Sequence, residues 1–398
     1  MIPYGKQVIS SQDIDSVVSV LKSDFLTQGP VVPHFEKAFA KKVQAEFAVA
    51  VNSATSALHI ACLALCVSKG DRVWTSPISF VASSNCAVYC EAIVDFVDID
   101  PKTYNMSVEA LEQKLQEAEL NGTLPKVVIP VHLAGQSCDM KAIHALSLKF
   151  GFKILEDASH ATGAIYDGDP VGSCKYSDIA VFSFHPVKII TSGEGGMAVT
   201  NKHEIMLKLT SLRSHGITRD PNLMTIKPDG PWFYQQLELG FNYRMTDIHA
   251  ALGNSQLERL DEFVSRRHAI AKTYYEELNI EGVTLPFQDT KGRSSFHLFI
   301  LNFTKTTGPL SRNKVFNRLR DSGVSVNLHY IPIYRHPYYK NLSLCMEDFV
   351  QAETYYKSAI SIPIYPSMTE EEQEFVIKVI KSDTVQKFVE PQGYQDLF

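Results

Sequence analysis

The sequence predicts an α/β fold: a large, mostly parallel seven-stranded sheet domain followed by a smaller α+β domain. Three observations carry this. Seven short apolar runs fall between residues 45 and 200, helix-length amphipathic stretches separate most of them, and a long proline-free periodic segment leads into a second mixed region. Strands divided by helix-length segments build parallel sheets, because a parallel crossover needs about a dozen residues and covers the sheet faces. At 398 residues the chain exceeds one ordinary hydrophobic core, so two domains are expected, 1–250 and 251–398.

In order along the chain, FAVAV (47–51), RVWTS (72–76), AIVDFV (92–97), KVVIPV (126–131), FKILE (152–156), IAVFSF (179–184) and GMAVT (196–200) read as strands. SALHIACLALCV and VEALEQKLQEAEL are among the amphipathic helices between them. Residues 217–236 (ITRDPNLMTIKPDGPWFYQQ) form the one long irregular insert, a lid or interface loop. From Thr246, MTDIHAALGNSQLERLDEFVSRRHAIAKTYYEEL predicts a single long helix, with Thr246 as N-cap and Asp247 favourable in the first turn. TLPFQDTKGRSS is a loop. FHLFILNF, a helix around KVFNRLRDSG, VSVNLHYIPI and a helix near TEEEQEFVIKVIKS complete the smaller domain.

Composition narrows the function. Hydrophobic content of 45% and charged content of 21% are those of a soluble globular protein. A formal charge of −6 gives no basic footprint for nucleic acid. No apolar run reaches the roughly 18 residues that cross a bilayer. MIPYGKQVISSQDID lacks the basic and apolar regions of a secretory signal, so a cytoplasmic protein is expected. Seven cysteines lie in apolar surroundings. Cys62/Cys66 and Cys86/Cys90 are each spaced as one face of a helix, which reads as small buried hydrophobes rather than metal ligands.

Ligands of open α/β sheets collect at the carboxyl ends of strands, so the residues just after each strand are the informative ones. After FAVAV, Asn52-Ser53-Ala54-Thr55-Ser56 opens a helix with small and hydroxyl residues: a plain N-cap, or an anion site. After FKILE comes Asp157-Ala158-Ser159-His160, whose carboxylate is a helix cap or the partner of a buried cation. After IAVFSF comes His185-Pro186-Val187-Lys188, followed by the compact Thr191-Ser192-Gly193-Glu194-Gly195-Gly196. A lone loop lysine is usually solvated. An anion cradle, a strand-end acid and a strand-end lysine together meet the needs of pyridoxal phosphate: a phosphate site, an amine for its aldehyde and a partner for its ring nitrogen. Phe80, in TSPISFVASSN, is an aromatic available to cover the ring. Neither GxGxxG after a strand nor GxxxxGK[ST] occurs, which disfavours a dinucleotide-dependent oxidoreductase.

NSATSALHIA, PISFVASSN, EDASHATGA, FSFHPVK, TSGEGGMAVTN, RSHGI, GFNYRMTDIHAALG and HYIPIY, in this order, resemble the DegT/DnrJ family of sugar aminotransferases over essentially the whole chain. The resemblance implies fold type I, the aspartate-aminotransferase-like architecture of pyridoxal-5'-phosphate-dependent transferases. LTQGP, TSPISFVA and the RSHGITRD-to-PDGPWFYQQLELG insert are similar to its pseudaminic acid branch. The resemblance assigns Lys188 as the Schiff-base lysine, Asp157 as the partner of the ring nitrogen and Phe80 as the ring cover. His160, where many relatives have glutamine, is implied to lie near the ring oxygen, and Ala54, Thr55 and Ser183 at the phosphate. Asn242 is implied to reach the phosphate of a second subunit, making a homodimer with shared active sites. Tyr4, Asp24, Phe25, Leu26, Thr27, Asn327, Leu328, His329 and Tyr330 are implied to face a nucleotide sugar. The implied reaction moves an amine from L-glutamate, leaving 2-oxoglutarate, to a UDP-linked keto-sugar, with no metal. Another nucleotide-linked keto-sugar is the alternative substrate, and a non-catalytic sugar-binding homologue the alternative class. Relatives that dehydrate sugars carry histidine at the lysine position; this chain has Lys188.

Overall fold

A computed structural model of the protein describes residues 1–305, 310–342 and 346–382. Its central sheet consists of β1 (Phe47–Val51), β2 (Arg72–Thr75), β3 (Ile93–Phe96), β4 (Val127–Ile129), β5 (Lys153–Asp157), β6 (Ile179–Ser183) and β7 (Gly196–Thr200), in the order β1-β7-β6-β5-β4-β2-β3. Each of the seven apolar runs is one of these strands, within two residues at its ends. β7 alone runs against the others, pairing antiparallel with β1 and β6, while β2–β3, β2–β4, β4–β5 and β5–β6 are parallel. Burial on both faces explains the unbroken apolar character of β4, β6 and β7, every residue of which is buried.

The helices before and between these strands are α1 (Ser11–Leu21), α2 (Val31–Val43), α3 (Ala54–Ala64), α4 (Ala82–Tyr89), α5 (Val108–Asn121) and α6 (Met140–Phe150), with α7 (His203–Arg213) after β7. One apolar cluster contains Phe35, Phe39, Phe182 and Phe184; a second contains Leu58, Ile60, Cys62 and Phe96. Cys62, Cys86 and Cys90 are buried as expected, but Cys66 is exposed. The helix stops at Ala64, and Cys66 adopts φ 62 in the turn beyond it, which takes its side chain off the buried face.

Two expectations need correction. The long helix from Thr246 is two helices, α8 (Asp247–Glu258) and α9 (Leu260–Glu277), broken at Arg259. Arg259 Nη2 reaches the buried Asp13 Oδ2 at 2.5 Å, a tertiary tie that periodicity cannot reveal. Thr246 does cap α8, accepting His249 N–H at 3.2 Å. Asp247, by contrast, turns away and accepts the N–H groups of Gly29 (2.6 Å) and Val32 (2.8 Å), fixing the start of α2. The 217–236 insert is also not wholly irregular: Ile217–Thr218 pairs antiparallel with Gln235–Gln236, and Leu223, Ile226 and Trp232 are exposed between them.

The C-terminal part is a three-stranded antiparallel sheet of β8 (Val283–Thr284), β9 (Phe299–Phe303) and β10 (Ala359–Ile362), with β9 central. α10 (Arg312–Asp321), α11 (Val350–Ser358) and α12 (Glu370–Lys381) accompany it, around a core that includes Tyr274, Phe299 and Ile380. The chain start joins this part: Ile2 bridges Val324, and Tyr4 O accepts Ile364 N–H at 3.2 Å. No helix among the described residues is long and apolar enough to cross a membrane.

Candidate active site

The loops at the carboxyl ends of β1, β5 and β6 open on one cavity of about 830 Å³. At the first of them, Ser53 is extended and caps α3, its Oγ accepting Ser56 N–H at 3.1 Å, while Ser56 Oγ donates to Asn52 Oδ1 at 2.7 Å. These side chains satisfy one another, so the first N–H groups of α3, at Ala54 and Thr55, are left for a ligand at the positive end of the helix. Gly196 closes the floor. A Cβ there would lie 2.5 Å from Ala54 N and from Ser53 O, so any larger residue would push the cradle apart.

Asp157 ends β5 and is 5% exposed. Its Oδ2 accepts Ser83 Oγ–H at 2.6 Å and its Oδ1 accepts Ser159 N–H at 3.1 Å. Ser83 in turn meets Ser79 at 2.6 Å, so α4 holds the carboxylate in one orientation. Phe80, just before that helix, is 58% exposed and lines the cavity, so it is not a core residue.

Lys188 follows β6 in a loop closed by its own polar groups. Its N–H donates to His185 O at 2.9 Å, Thr191 Oγ1 donates to Phe184 O at 2.9 Å, and Phe184 N–H donates to Gly195 O at 2.9 Å. The side chain is partly accessible, from the cavity, but lies deep in the protein. Burial pulls its ammonium down to about 8, with the neighbouring Asp157 charge opposing. A fraction of the amine is therefore neutral, and nucleophilic, close to neutral pH.

His160, 5% exposed, lines the same cavity as Lys188 and places Nε2 3.0 Å from Tyr330 Oη. Burial, Lys188 and His329 all hold it well below the ordinary histidine range. His329 Nδ1 meets Ser361 Oγ at 2.8 Å, and burial and then Lys188 push its protonation down to about 3.

The cavity thus collects Ala54, Thr55, Phe80, Asp157, His160, Ser183 and Lys188 of the expected cofactor set, and Tyr4, Asn327, Leu328, His329 and Tyr330 of the expected substrate set. Asp24, Phe25, Leu26 and Thr27 do not line it; they are exposed, with Thr27 bridged to Thr246. Asn242 is likewise exposed, bridged to Ser214. Several lining residues were not singled out from the sequence. Ser79 is visible only as a small residue in PISFVASSN, and His297 only as part of the apolar run FHLFILNF. Val131, two residues beyond β4, carries no polar signature.

This donor set fits pyridoxal phosphate. It offers a helix N-terminus with a glycine floor for the phosphate, a buried carboxylate for a protonated ring nitrogen, an aromatic lip and one buried amine of lowered basicity.

A family model for the DegT/DnrJ/EryC1/StrS aminotransferase family matches residues 7–381. The UDP-4-amino-4,6-dideoxy-N-acetyl-beta-L-altrosamine transaminase of Campylobacter jejuni subsp. jejuni serotype O:23/36 (strain 81-176) is 37% identical over 379 residues, 94% of this chain and 96% of that protein. Among solved structures, Helicobacter pylori PseC, an aminotransferase involved in the biosynthesis of pseudoaminic acid, superposes with a TM-score of 0.85. It is 28% identical, covering 95% of this chain and 98% of that one. The PLP-form of Spr1654 from Streptococcus pneumoniae gives a TM-score of 0.85 at 28% identity, covering 96% of this chain and 98% of that one.

Proposed function

This chain belongs to the DegT/DnrJ/EryC1/StrS aminotransferase family and is a pyridoxal-phosphate-dependent sugar aminotransferase, and from that premise we propose its reaction. It transfers the amine of L-glutamate to the C4 keto group of UDP-2-acetamido-2,6-dideoxy-beta-L-arabino-hex-4-ulose. The product is UDP-4-amino-4,6-dideoxy-N-acetyl-beta-L-altrosamine, as in pseudaminic acid biosynthesis. The observation that carries the reading is the joining of Lys188 and Asp157 to Tyr4, Asn327 and His329 in one cavity, in a chain 37% identical to that transaminase.

When bound, pyridoxal phosphate supplies an aldehyde that exchanges amines and a ring that withdraws electrons. The residues do the rest. Ala54, Thr55 and Ser183 bind the phosphate and so fix the position of everything attached to it. Asp157, locked by Ser83, holds a proton on the ring nitrogen, and its charge is felt strongly because water is largely excluded there. Lys188 Nζ, in the neutral fraction that its lowered basicity provides, takes and returns the proton at C4 of the sugar, a role worth about 10²–10⁴-fold. His160, His297 and His329 stay uncharged beside it, so they add no positive charge to compete for Asp157.

The active form is a homodimer. Asn242, Phe25 and Leu26 are exposed in the single chain, as is Trp232 on the 217–236 insert, and a second copy would bury them and bring Asn242 to the other cradle. Incubation with L-glutamate and a panel of UDP-4-keto-6-deoxy-N-acetylhexosamine isomers, with products identified by NMR, tests the substrate. The arabino-hex-4-ulose isomer is expected to be aminated at C4. Exclusive turnover of a dTDP-3-keto sugar would overturn the substrate and leave the family unchanged.

A further inference from the structure

One hydrogen-bond chain in the cavity wall has no part in the reaction as described above. It starts at Asn105, which is 2% exposed and distant in sequence from every strand-end loop of the site. Asn105 Oδ1 accepts Leu133 N–H at 2.9 Å, and its Nδ2 donates to Gln136 O and Ser137 O, both at 3.0 Å. The turn it grips, Leu133–Gly135, contains Ala134 at φ 60 and Gly135 at φ 101. A side chain at Gly135 would meet Ser295 Oγ at 2.5 Å and His297 N at 3.0 Å, so the turn is packed tightly on the residues that lead into β9. A non-glycine residue in the left-handed region costs free energy and persists only where its surroundings hold it. The consequence is directional: Ala134 N–H points at His160 Nδ1, 3.3 Å away.

A neutral imidazole has one donor and one acceptor nitrogen. A backbone N–H can only donate. Nδ1 of His160 is therefore the acceptor, Nε2 carries the hydrogen, and that hydrogen goes to Tyr330 Oη at 3.0 Å. Tyr330 accepts there, which leaves its own hydroxyl hydrogen free. Among the described residues no acceptor meets it, and the side chain lines the cavity beside Phe80, whose ring lies 6.2 Å away.

We propose that Asn105 and the Leu133–Gly135 turn fix the His160 tautomer, and that His160 thereby sets Tyr330 as a hydrogen-bond donor to an oxygen of the ligand in the cavity. His160 and Asn105 are positioning residues; Tyr330 is the group that touches the ligand. The acceptor is an oxygen of either the cofactor or the sugar. The inference rests on the proposed reaction only in placing those two ligands in this cavity.

Holoenzyme labelled with ¹⁵N-histidine, with the His160 signals assigned by their loss in His160→Gln, reads the tautomer directly. An Nε2–H imidazole is expected, and an Nδ1–H imidazole overturns the proposal whatever sugar the enzyme uses. Kinetics supply the second reading. His160→Leu is expected to lower kcat/KM by about 5- to 50-fold, the range for losing one oriented hydrogen bond. His160→Gln, which offers one acceptor and one donor, is expected to recover most of that loss. Equal losses in the two variants overturn the tautomer argument.

Tyr330→Phe separates the two sources of the acceptor. A cofactor oxygen is indicated if the pH profile of the holoenzyme absorbance shifts and pyridoxal phosphate binds more weakly before sugar is added. A sugar oxygen is indicated if both hold and the sugar KM rises. If nothing moves, Tyr330 is not a donor and the proposal falls. Asn105→Ala, or Asn105→Asp should the alanine variant not fold, is expected to give mixed His160 tautomers; a folded variant with the native tautomer removes Asn105 from the chain. Failure of the sugar panel alone leaves the tautomer result intact, so the two readings fail separately.

Discussion

The cavity has two sides that are built to different degrees of completeness. On the sheet side, Ser53, Asp157 and Lys188 are each buried or enclosed and each has its polar partners within the same chain: Ser56, Ser83 and the His185 carbonyl. By contrast, Asp24–Thr27, which the family resemblance assigns to the substrate, and Asn242, which it assigns to the phosphate of a second subunit, lie exposed and outside the cavity. Phe25 and Leu26 are 54% and 48% exposed, and Trp232 on the 217–236 insert 72%. The contrast separates what one chain finishes by itself from what it leaves for a second surface. Strand-end chemistry needs fixed geometry, and a buried sheet provides it. The open side carries apolar groups, which cost little to expose singly but gain from being covered together.

The largest effect should come from the finished side. Lys188→Ala is expected to lower turnover by about 10⁴-fold or more and to abolish the visible absorbance of the bound cofactor; turnover and absorbance retained together would break the assignment. The same lysine should set the pH dependence of cofactor capture by the apo-enzyme. Its ammonium is lowered to about 8, so the rate is expected to rise with pH and level off above that value. Asp157→Asn keeps the Ser83 contact but removes the charge, and a loss of about 10²–10³-fold in kcat is expected for one preorganised electrostatic partner.

Gly196→Ala probes the cradle without touching a polar group. A methyl 2.5 Å from Ala54 N has to displace the helix start, so weaker binding of pyridoxal phosphate by about 10- to 100-fold is expected in a titration. On the open side, Phe25→Asp with Leu26→Asp should shift the protein toward monomer in sedimentation and weaken cofactor binding by about tenfold. A monomeric variant that binds cofactor normally would show that each chain completes its own site.

The smallest effect concerns stability. Burial holds His160, His297 and His329 below the ordinary histidine value, His329 to about 3, and His268 falls to about 4 for the same leading reason. The unfolded chain takes up protons on these groups below about pH 6.5 and the folded chain does not. Their contribution is therefore complete above that pH and is lost as the pH falls toward 4. The melting temperature of the apo-protein should drop by roughly 5 °C between pH 7 and pH 5.5.

Much of this was legible in the residues. The seven strands could be read because parallel, doubly covered strands are continuous apolar runs bounded by turns, a local pattern. Lys188, Asp157 and the Asn52–Ser56 loop could be found because each directly follows such a strand. The break at Arg259 could not, since it answers to Asp13, more than two hundred residues away in the chain. α11 and β10 likewise stay unremarked in the sequence, their identity depending on pairing with β9. Ser83 and Asn105 look like ordinary small polar residues until the fold sets one against a carboxylate and the other against a strained turn.

The sequence by itself determined the order of the elements, the sheet that carries them and the residue types that its strand ends present. Those follow from hydrophobic periodicity and backbone preferences, which act over a few residues. Only the tertiary structure decided which nitrogen of His160 bears its proton, how Asp157 is held and which groups share the cavity with Lys188. Those depend on distances between residues far apart in the chain, and a hydrogen bond or a charge acts only over the few ångströms that folding closes.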